Sequence, residues 1–532
     1  MHPTHLAAAI GGNPGLHVTQ AFTWLITEAL HLVLGLAAGA LLARSLRARG
    51  LHWSWALAAL PAIPPASALG APELTVALAA AVAARTGRRL HREDLMDGGD
   101  LARAAHARRS PGDALRVALG DTLGRSGAPA GASREAMTLG RDDRGRAVRI
   151  AVGGGRHTLV VGATGSGKTV TQASIAVHAI ERGAAAIAID PKGDRDLREA
   201  LASAAASAGR RFLSWSPQGG AVYNPYERGG SSEIADRLLA AEPFSEPHYL
   251  RQAQRYIAHV VSALRAAGED VCLRTIAEHL EPVRLELLAR ELGEGGRATH
   301  DYLDALTPRQ RADLSGVRDR LALVAESDVG RWLDPRNDAA PRFELEAAVR
   351  AGATVCFTLE ADRRPLLSEM LGAAIVQDLL ATVASLQSQP VPALVMVDEF
   401  SAIAARHVVR LFARARSAGF SLLLGTQELA DLRLRDGEQV LDQVLGNLSV
   451  LIAHRQVVPG SAELISAIAG SRGTWRVSRH SDGRHTRTRA QERVLVPEQV
   501  ARLDTGRAAV LRLHGGGAEV VRVDPAGVEV SR

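Results

Sequence analysis

The stretch HTLVVGATGSGKTV, residues 157–170, decides how the rest of the chain is read. Thr158 to Val161 reads as a short buried strand, and the pattern after the motif, Thr171 to Arg182, is helical. Between them Gly162, Ala163, Thr164, Gly165, Ser166, Gly167, Lys168 and Thr169 fit G-x-x-x-x-G-K-[ST], the phosphate-binding loop, in the strand-to-helix context that motif requires. Glycines let successive backbone N–H groups turn inward onto phosphate oxygens. The lysine reaches the β/γ-phosphates and the threonine hydroxyl is a ligand for Mg²⁺. A chance Gly/Ser-rich turn is the alternative, and the flanking strand and helix argue against it.

Composition supports the loop. Of 63 lysines and arginines in 532 residues, only Lys168 and Lys192 are lysine. Surface cations tolerate that exchange, whereas a site that needs a compact ammonium among phosphates does not accept a planar guanidinium. One lysine sits in the loop and the other just past the next expected strand.

A chain of this length predicts two or three folded units. A net charge of +6 permits an anionic partner without demanding one. Cys272 and Cys356 match no metal spacing, so a reduced, cytosolic location is expected for the bulk of the chain.

Residues 1–92 read as a membrane-anchoring helical region. Leu25 to Ala43 is apolar over about the length of a bilayer-spanning helix, and Gly35 and Gly39 have the G-x-x-x-G spacing that lets helices approach closely. Glu28 and His31 count against a span, and a soluble Ala-rich helical domain is the alternative reading. A second apolar stretch, residues 53–84, is interrupted by Pro61, Pro64, Pro65 and Pro72 and reads as two short helices around an elbow. Arg44, Arg47 and Arg49 follow the first stretch and Arg85, Arg88, Arg89 and Arg92 the second, which puts both clusters on the cytoplasmic side. Residues 93–137 read as a juxtamembrane connector.

Beyond the loop the chain alternates strand and helix, an α/β pattern with a doubly wound sheet. Ala184 to Ile189 is an apolar strand ending in Asp190-Pro191-Lys192-Gly193-Asp194, which places Lys192 and Asp194 near the ligand crevice, Asp194 being equally able to cap the next helix. Val391 to Val397 delivers Asp398-Glu399. In phosphate-loop enzymes a carboxylate there holds Mg²⁺ and the following glutamate can polarise the attacking water. Phe420 to Leu424 leads to Gly425-Thr426-Gln427, where an amide can sense the γ-phosphate. Between the YNPY turn at Tyr223–Tyr226 and the strand Thr354 to Leu359, residues 233–345 are helical throughout and read as an all-α insertion. The loop domain is therefore expected in two parts, 138–232 and 346–532. The second part carries an Arg-rich hairpin around Asp482-Gly483, either a phosphate-backbone contact or a solvated surface.

The ordered set GATGSGKT, DPKGD, YNPY, VMVDEF, ARARSAGFSLLLGTQELADL and GNLSVLIAHRQ resembles the TraG/TraD-type coupling proteins of type IV secretion and conjugation, relatives of the FtsK/HerA translocases, over about residues 138–525. The resemblance implies a membrane-anchored, homohexameric ATPase with a RecA-like sheet and an inserted all-α domain. It implies a protein at the bacterial plasma membrane with its ATPase domain cytoplasmic. It would pass single-stranded DNA and some proteins to a secretion channel, in company with a relaxase and channel proteins. By the same resemblance ATP and Mg²⁺ bind at residues 162–169, with Thr169 and Asp398 on the metal. Glu399 is then the catalytic base, Lys168 and Gln427 contact phosphate, and Arg416 is the finger reaching a neighbour's nucleotide, with Arg414 close enough to compete. A chromosomal duplex-DNA motor is a first alternative; the lack of a C-terminal winged-helix pattern and the apolar N-terminal region argue against it. A receptor or scaffold that uses ATP only for assembly is the second.

Overall fold

The computed structural model describes residues 14–48, 56, 73–96, 136–242, 244, 246–403, 405–430, 432, 438–479, 485–514 and 517–525. Most of the expected connector, the elbow prolines and the Asp482-Gly483 turn lie outside the described residues. Two compact units are present. One holds the N-terminal helices with residues 473–492, and the other holds the remainder. The Arg-rich hairpin, expected within the phosphate-loop domain, thus groups with the N-terminal helices.

In the second unit the strands, in chain order, begin with β1 (Ala136–Asp142), β2 (Ala147–Ala151), β3 (Thr158–Val161), β4 (Ala185–Asp190) and β5 (Phe212–Ser216). The short pieces β6 (Gly219–Gly220), β7 (Val222–Tyr223) and β8 (Arg342–Phe343) follow. Next come β9 (Thr354–Thr358), β10 (Ala393–Val397), β11 (Phe420–Thr426) and β12 (Val450–Ala453). β15 (Arg507–Arg512) and β16 (Ala518–Val523) complete the second unit, while the hairpin strands β13 (Ser471–Arg479) and β14 (His485–Arg493) fall mainly in the first. Twelve strands form one sheet in the order β2-β1-β16-β15-β12-β3-β11-β10-β4-β9-β5-β6. From β12 to β5 all neighbours are parallel, and both flanks are antiparallel.

The parallel strands are continuous apolar runs because both faces are covered. Along β10, Leu394 and Met396 join one core with the helix Lys168–Glu181, while Ala393, Val395 and Val397 join the other, larger core. That second core includes the helix Pro365–Ser385, which is apolar enough to cross a membrane but is largely buried within the protein.

Between β7 and β8, which pair in parallel, the chain is helical apart from its turns. The helix Pro247–Ala266 starts on a proline and buries Tyr256, Ile257, Val260, Val261 and Leu264 along one face. Thr307 caps Pro308–Asp313, with Gln310 returning the bond to the Thr307 N–H.

In the first unit a helix runs from Pro14 to Ala48 and a second from Glu73 to Met96. The span Leu25–Leu46 has a mean hydropathy of 1.9 and leaves Leu25, Ile26, Leu30, Val33, Leu34 and Leu41 exposed. Gly35 faces Thr75 and Leu78, Gly39 faces Ala79 and Val82, and Ala43 clusters with Ala83. The contact positions rise together, so the two helices run in the same direction. Arg44, Arg85 and Arg88 therefore lie toward the same end of the pair.

Candidate nucleotide site

Strand order brings the motifs together. β3 carries the loop, its neighbour β11 ends at Thr426, β10 ends at Val397, and β4 ends at Asp190. Because all four are parallel, their carboxyl ends and the residues that follow share one edge of the sheet.

The loop turns through left-handed backbone at Gly165 (φ 73°) and Gly167 (φ 105°), conformations that glycine adopts without penalty. Gly167 caps the helix Lys168–Glu181 without a side-chain bond, and no acidic residue occupies the first turn. Its N–H groups are thus left for an anion. The loop is also braced from outside. Ala163 N–H donates to Arg455 O (3.0 Å), Gly506 N–H to Ser166 O (2.9 Å), and Thr505 Oγ1 to Gly165 O (3.1 Å). Beneath it His454, fully buried, lies with Nε2 2.9 Å from Thr171 Oγ1, and burial lowers its pKa to about 4, so the ring is neutral.

Lys168, 6% exposed, extends from the loop to the carboxyl edge of β10. Its Nζ lies 2.8 Å from Asp398 Oδ1 and 3.0 Å from Glu399 Oε2. Lys192 Nζ reaches the same Glu399 Oε2, also at 3.0 Å. The other oxygen, Oε1, accepts the backbone N–H of Gln427 at 2.9 Å. Burial alone would raise the Glu399 pKa, but the two lysines outweigh it and hold the carboxyl below its usual range. Glu399 is also one of two non-glycine residues with positive φ among those described, at 45°. Such strain gathers where surrounding structure dictates a side chain's position.

Lys192 is positioned by Asp190. The buried Asp190 carboxylate accepts the N–H groups of Lys192 (2.9 Å) and Asp194 (2.5 Å), fixing the turn between β4 and the next helix. Desolvation nevertheless leaves the Asp190 pKa raised. Asp194 caps the helix Arg195–Ser207 through Leu197 N–H, so the capping role is real and Lys192 alone points chemistry at the site.

Ser166 of the loop and Gln172, which no motif signals, complete the surroundings. Ser166 Oγ and both amide atoms of Gln172 are buried without a hydrogen-bond partner among the described residues. A Cβ at Gly425 would lie 2.5 Å from Gln172 Nε2 and 2.7 Å from Asp398 Oδ1, so only glycine leaves this cradle open. Unsatisfied polar groups beside a hydroxyl at Thr169, a carboxylate at Asp398 and free helix N–H groups suit a phosphate-bound Mg²⁺, an ion that prefers oxygen ligands. Gln172 carries no recognisable motif, only an i+4 spacing from Lys168 that puts it on the same helix face, and His454 lies in the GNLSVLIAHRQ run with no role assigned to it by the sequence.

Arg416 is elsewhere. It precedes β11, and its Nε donates to Gly155 O, which precedes β3, at 3.4 Å. That is the amino edge of the sheet, opposite Lys168. Arg414, in the last turn of the helix Ala405–Ala415, is likewise exposed.

Residues 392–505 match the family model described as the TraM recognition site of TraD and TraG, and residues 137–208 match the C-terminal model of HerA-like helicases. No curated protein matches. Among solved structures, the bacterial conjugative coupling protein TrwB in its unbound form is 17% identical with a TM-score of 0.58, over 77% of this chain and 92% of that one. TrwB in complex with ADP and Mg²⁺ is 20% identical with a TM-score of 0.53, over 71% and 87%. VirB4 of Thermoanaerobacter pseudethanolicus is 12% identical with a TM-score of 0.50, over 75% and 98%. The sheet is therefore the RecA-like α/β fold these proteins share. Both family models fall on the ordered motifs of that fold, and over those residues the chain is similar to the TraG/TraD-type coupling proteins and the HerA-like helicases.

Proposed function

We propose that this protein is a membrane-anchored ATPase that drives DNA, single-stranded in preference to duplex, toward a type IV secretion or conjugation channel. The observation that carries the reading is the meeting of Lys168, Asp398 and Glu399 at the carboxyl edge of the sheet. Lys168 and the loop N–H groups bind the β/γ-phosphates of ATP. Thr169 and Asp398 hold Mg²⁺, which supplies charge neutralisation on the phosphates. Glu399 accepts the proton of the attacking water, and Gln427, whose backbone N–H already orients Glu399, senses the γ-phosphate. Arg416 lies too far from its own loop to serve it, so its role as a finger belongs to a neighbour's site in a homohexamer.

The apolar helix Leu25–Leu46 with its exposed leucines supports anchoring in the plasma membrane, with the ATPase unit in the cytoplasm. The family match over residues 392–505 supports docking of a relaxosome protein of the TraM type, and through it a relaxase and channel proteins. The test is ATP hydrolysis by the membrane-extracted full chain, with ring stoichiometry, in the presence of single-stranded DNA, duplex DNA or no DNA. Hexamers stimulated by single strands are expected. Stimulation by duplex alone would favour a chromosomal motor, and assembled rings indifferent to DNA would favour a protein-docking scaffold.

A further inference from the structure

The chain's only two lysines bond the same oxygen, Glu399 Oε2, each at 3.0 Å. The other oxygen takes the Gln427 N–H. Three donors thus meet a carboxylate with about four acceptor sites, and the two ammonium groups share the one oxygen, Oε2, which they hold in place and make a poorer acceptor for a proton from water. Nucleotide changes only part of this arrangement. Lys168 cannot hold phosphates and both carboxylates at once, so its ammonium leaves Glu399 when ATP is bound. Lys192 and Gln427 have no such competing demand.

Of those two remaining donors, the Gln427 N–H is fixed in the backbone at the end of β11. The Lys192 ammonium rides on a flexible stem, and its side chain is 44% exposed, with solvent on one side. The backbone beneath it is clamped by Asp190, so the side chain can swing while its base stays in place.

We propose that Lys192 is a positioning residue that latches the base: its ammonium keeps hold of Glu399 Oε2 after ATP has bound, and hydrolysis waits for that contact to open. The inference rests on the ATPase reading above. It assigns the second lysine a restraining role, distinct from the phosphate binding of the first. It also gives the DPKGD turn a means of adjusting turnover, since anything that draws Lys192 into solvent frees Glu399.

The experiment uses full-length protein and compares Lys192→Met and Lys192→Arg with the parent, reading unstimulated kcat, KM for ATP, and affinity for a fluorescent ATP analogue. Breaking a half-exposed ion pair should raise the unstimulated kcat of Lys192→Met roughly two- to fivefold with KM and analogue affinity little changed. Lys192→Arg, which keeps the charge, should return most of the restraint. A fall in kcat would make Lys192 an assistant to the chemistry, and an unchanged kcat would make the contact structural; either overturns the latch. The contact itself is read without turnover by a cycle of Lys192→Met, Glu399→Gln and the double variant in nucleotide-free thermal unfolding, where absence of coupling also overturns it. A parent that binds ATP but hydrolyses none sinks the functional reading and the latch together, whereas an active parent with an unaffected Lys192→Met sinks the latch alone.

Discussion

Lys168 Nζ lies 2.8 Å from Asp398 Oδ1, so without nucleotide the residue proposed to grip phosphate neutralises the residue proposed to hold metal. Both side chains are almost fully buried. Removing one partner of a buried pair strands the other charge at a cost of about 3 kcal/mol or more. Lys168→Met should therefore lower the stability of the nucleotide-free protein as well as abolish ATP binding. Asp398→Asn should recover part of that stability in the double variant. Urea unfolding of the four proteins checks this; an unchanged midpoint for Lys168→Met would show that the contact does not hold in solution.

Glu399→Gln separates binding from chemistry. The amide oxygen still accepts the Gln427 N–H that Oε1 accepts now, so the local geometry persists. What disappears is the proposed base, and loss of a general base costs on the order of 10²- to 10⁴-fold in rate. Nucleotide affinity should stay near that of the parent while kcat falls by at least that lower bound and conjugative transfer ceases. Transfer at parental frequency by this variant would remove Glu399 from the catalytic role.

The parts of this site that were legible in the sequence are those whose chemistry is written locally. A phosphate loop needs particular glycines beside a lysine, and the strands feeding it, buried on both faces, appear as unbroken apolar runs such as residues 393–397. The meeting of Lys192 with Glu399 was not legible, because it follows from β4 lying next to β10, and strand order is a property of the whole sheet. Gln427 was expected to act through its amide; the contact that forms is made by its backbone N–H, which no residue type advertises. Gly35 and Gly39 announced a close helix approach, but the partner, the helix Glu73–Met96, begins after a stretch of prolines that gave no register.

Two neutral histidines predict an acid-sensitive fold. His157 Nδ1 accepts the Leu422 N–H at 3.1 Å, and burial, aided by Arg416, lowers its pKa to about 4. His454 is lowered to about 4 chiefly by burial. The unfolded chain binds these protons near pH 6.5, the folded protein only near 4, so stability is fully present above pH 6.5 and is lost as pH falls toward 4. Each group contributes on the order of 3 kcal/mol across that window. Thermal unfolding at pH 7.5, 6 and 5 should show a steeper decline for the parent than for His157→Asn, even if the variant is less stable at pH 7.5. Parallel pH dependences would mean that His157 is already protonated in the folded state.

Gly39 tests the proposed anchor. A Cβ there would lie 2.6 Å from Ala79 O and 2.8 Å from Val82 Cβ, distances that force the two helix backbones apart, whereas at Gly35 the nearest atom is Thr75 O at 3.1 Å and a small adjustment suffices. Cysteines placed at Ala43 and Ala83, which share one small cluster, should cross-link under oxidation in membranes. Adding Gly39→Leu should abolish that cross-link, because close packing of small residues is what holds helices together where lipid is the solvent. Gly35→Ala should leave it largely intact. Since Cys272 and Cys356 are buried, they should not compete for the oxidant. A cross-link that survives Gly39→Leu would mean that the helices do not pack in this parallel register, and that the arginines following them need not share one side of the membrane.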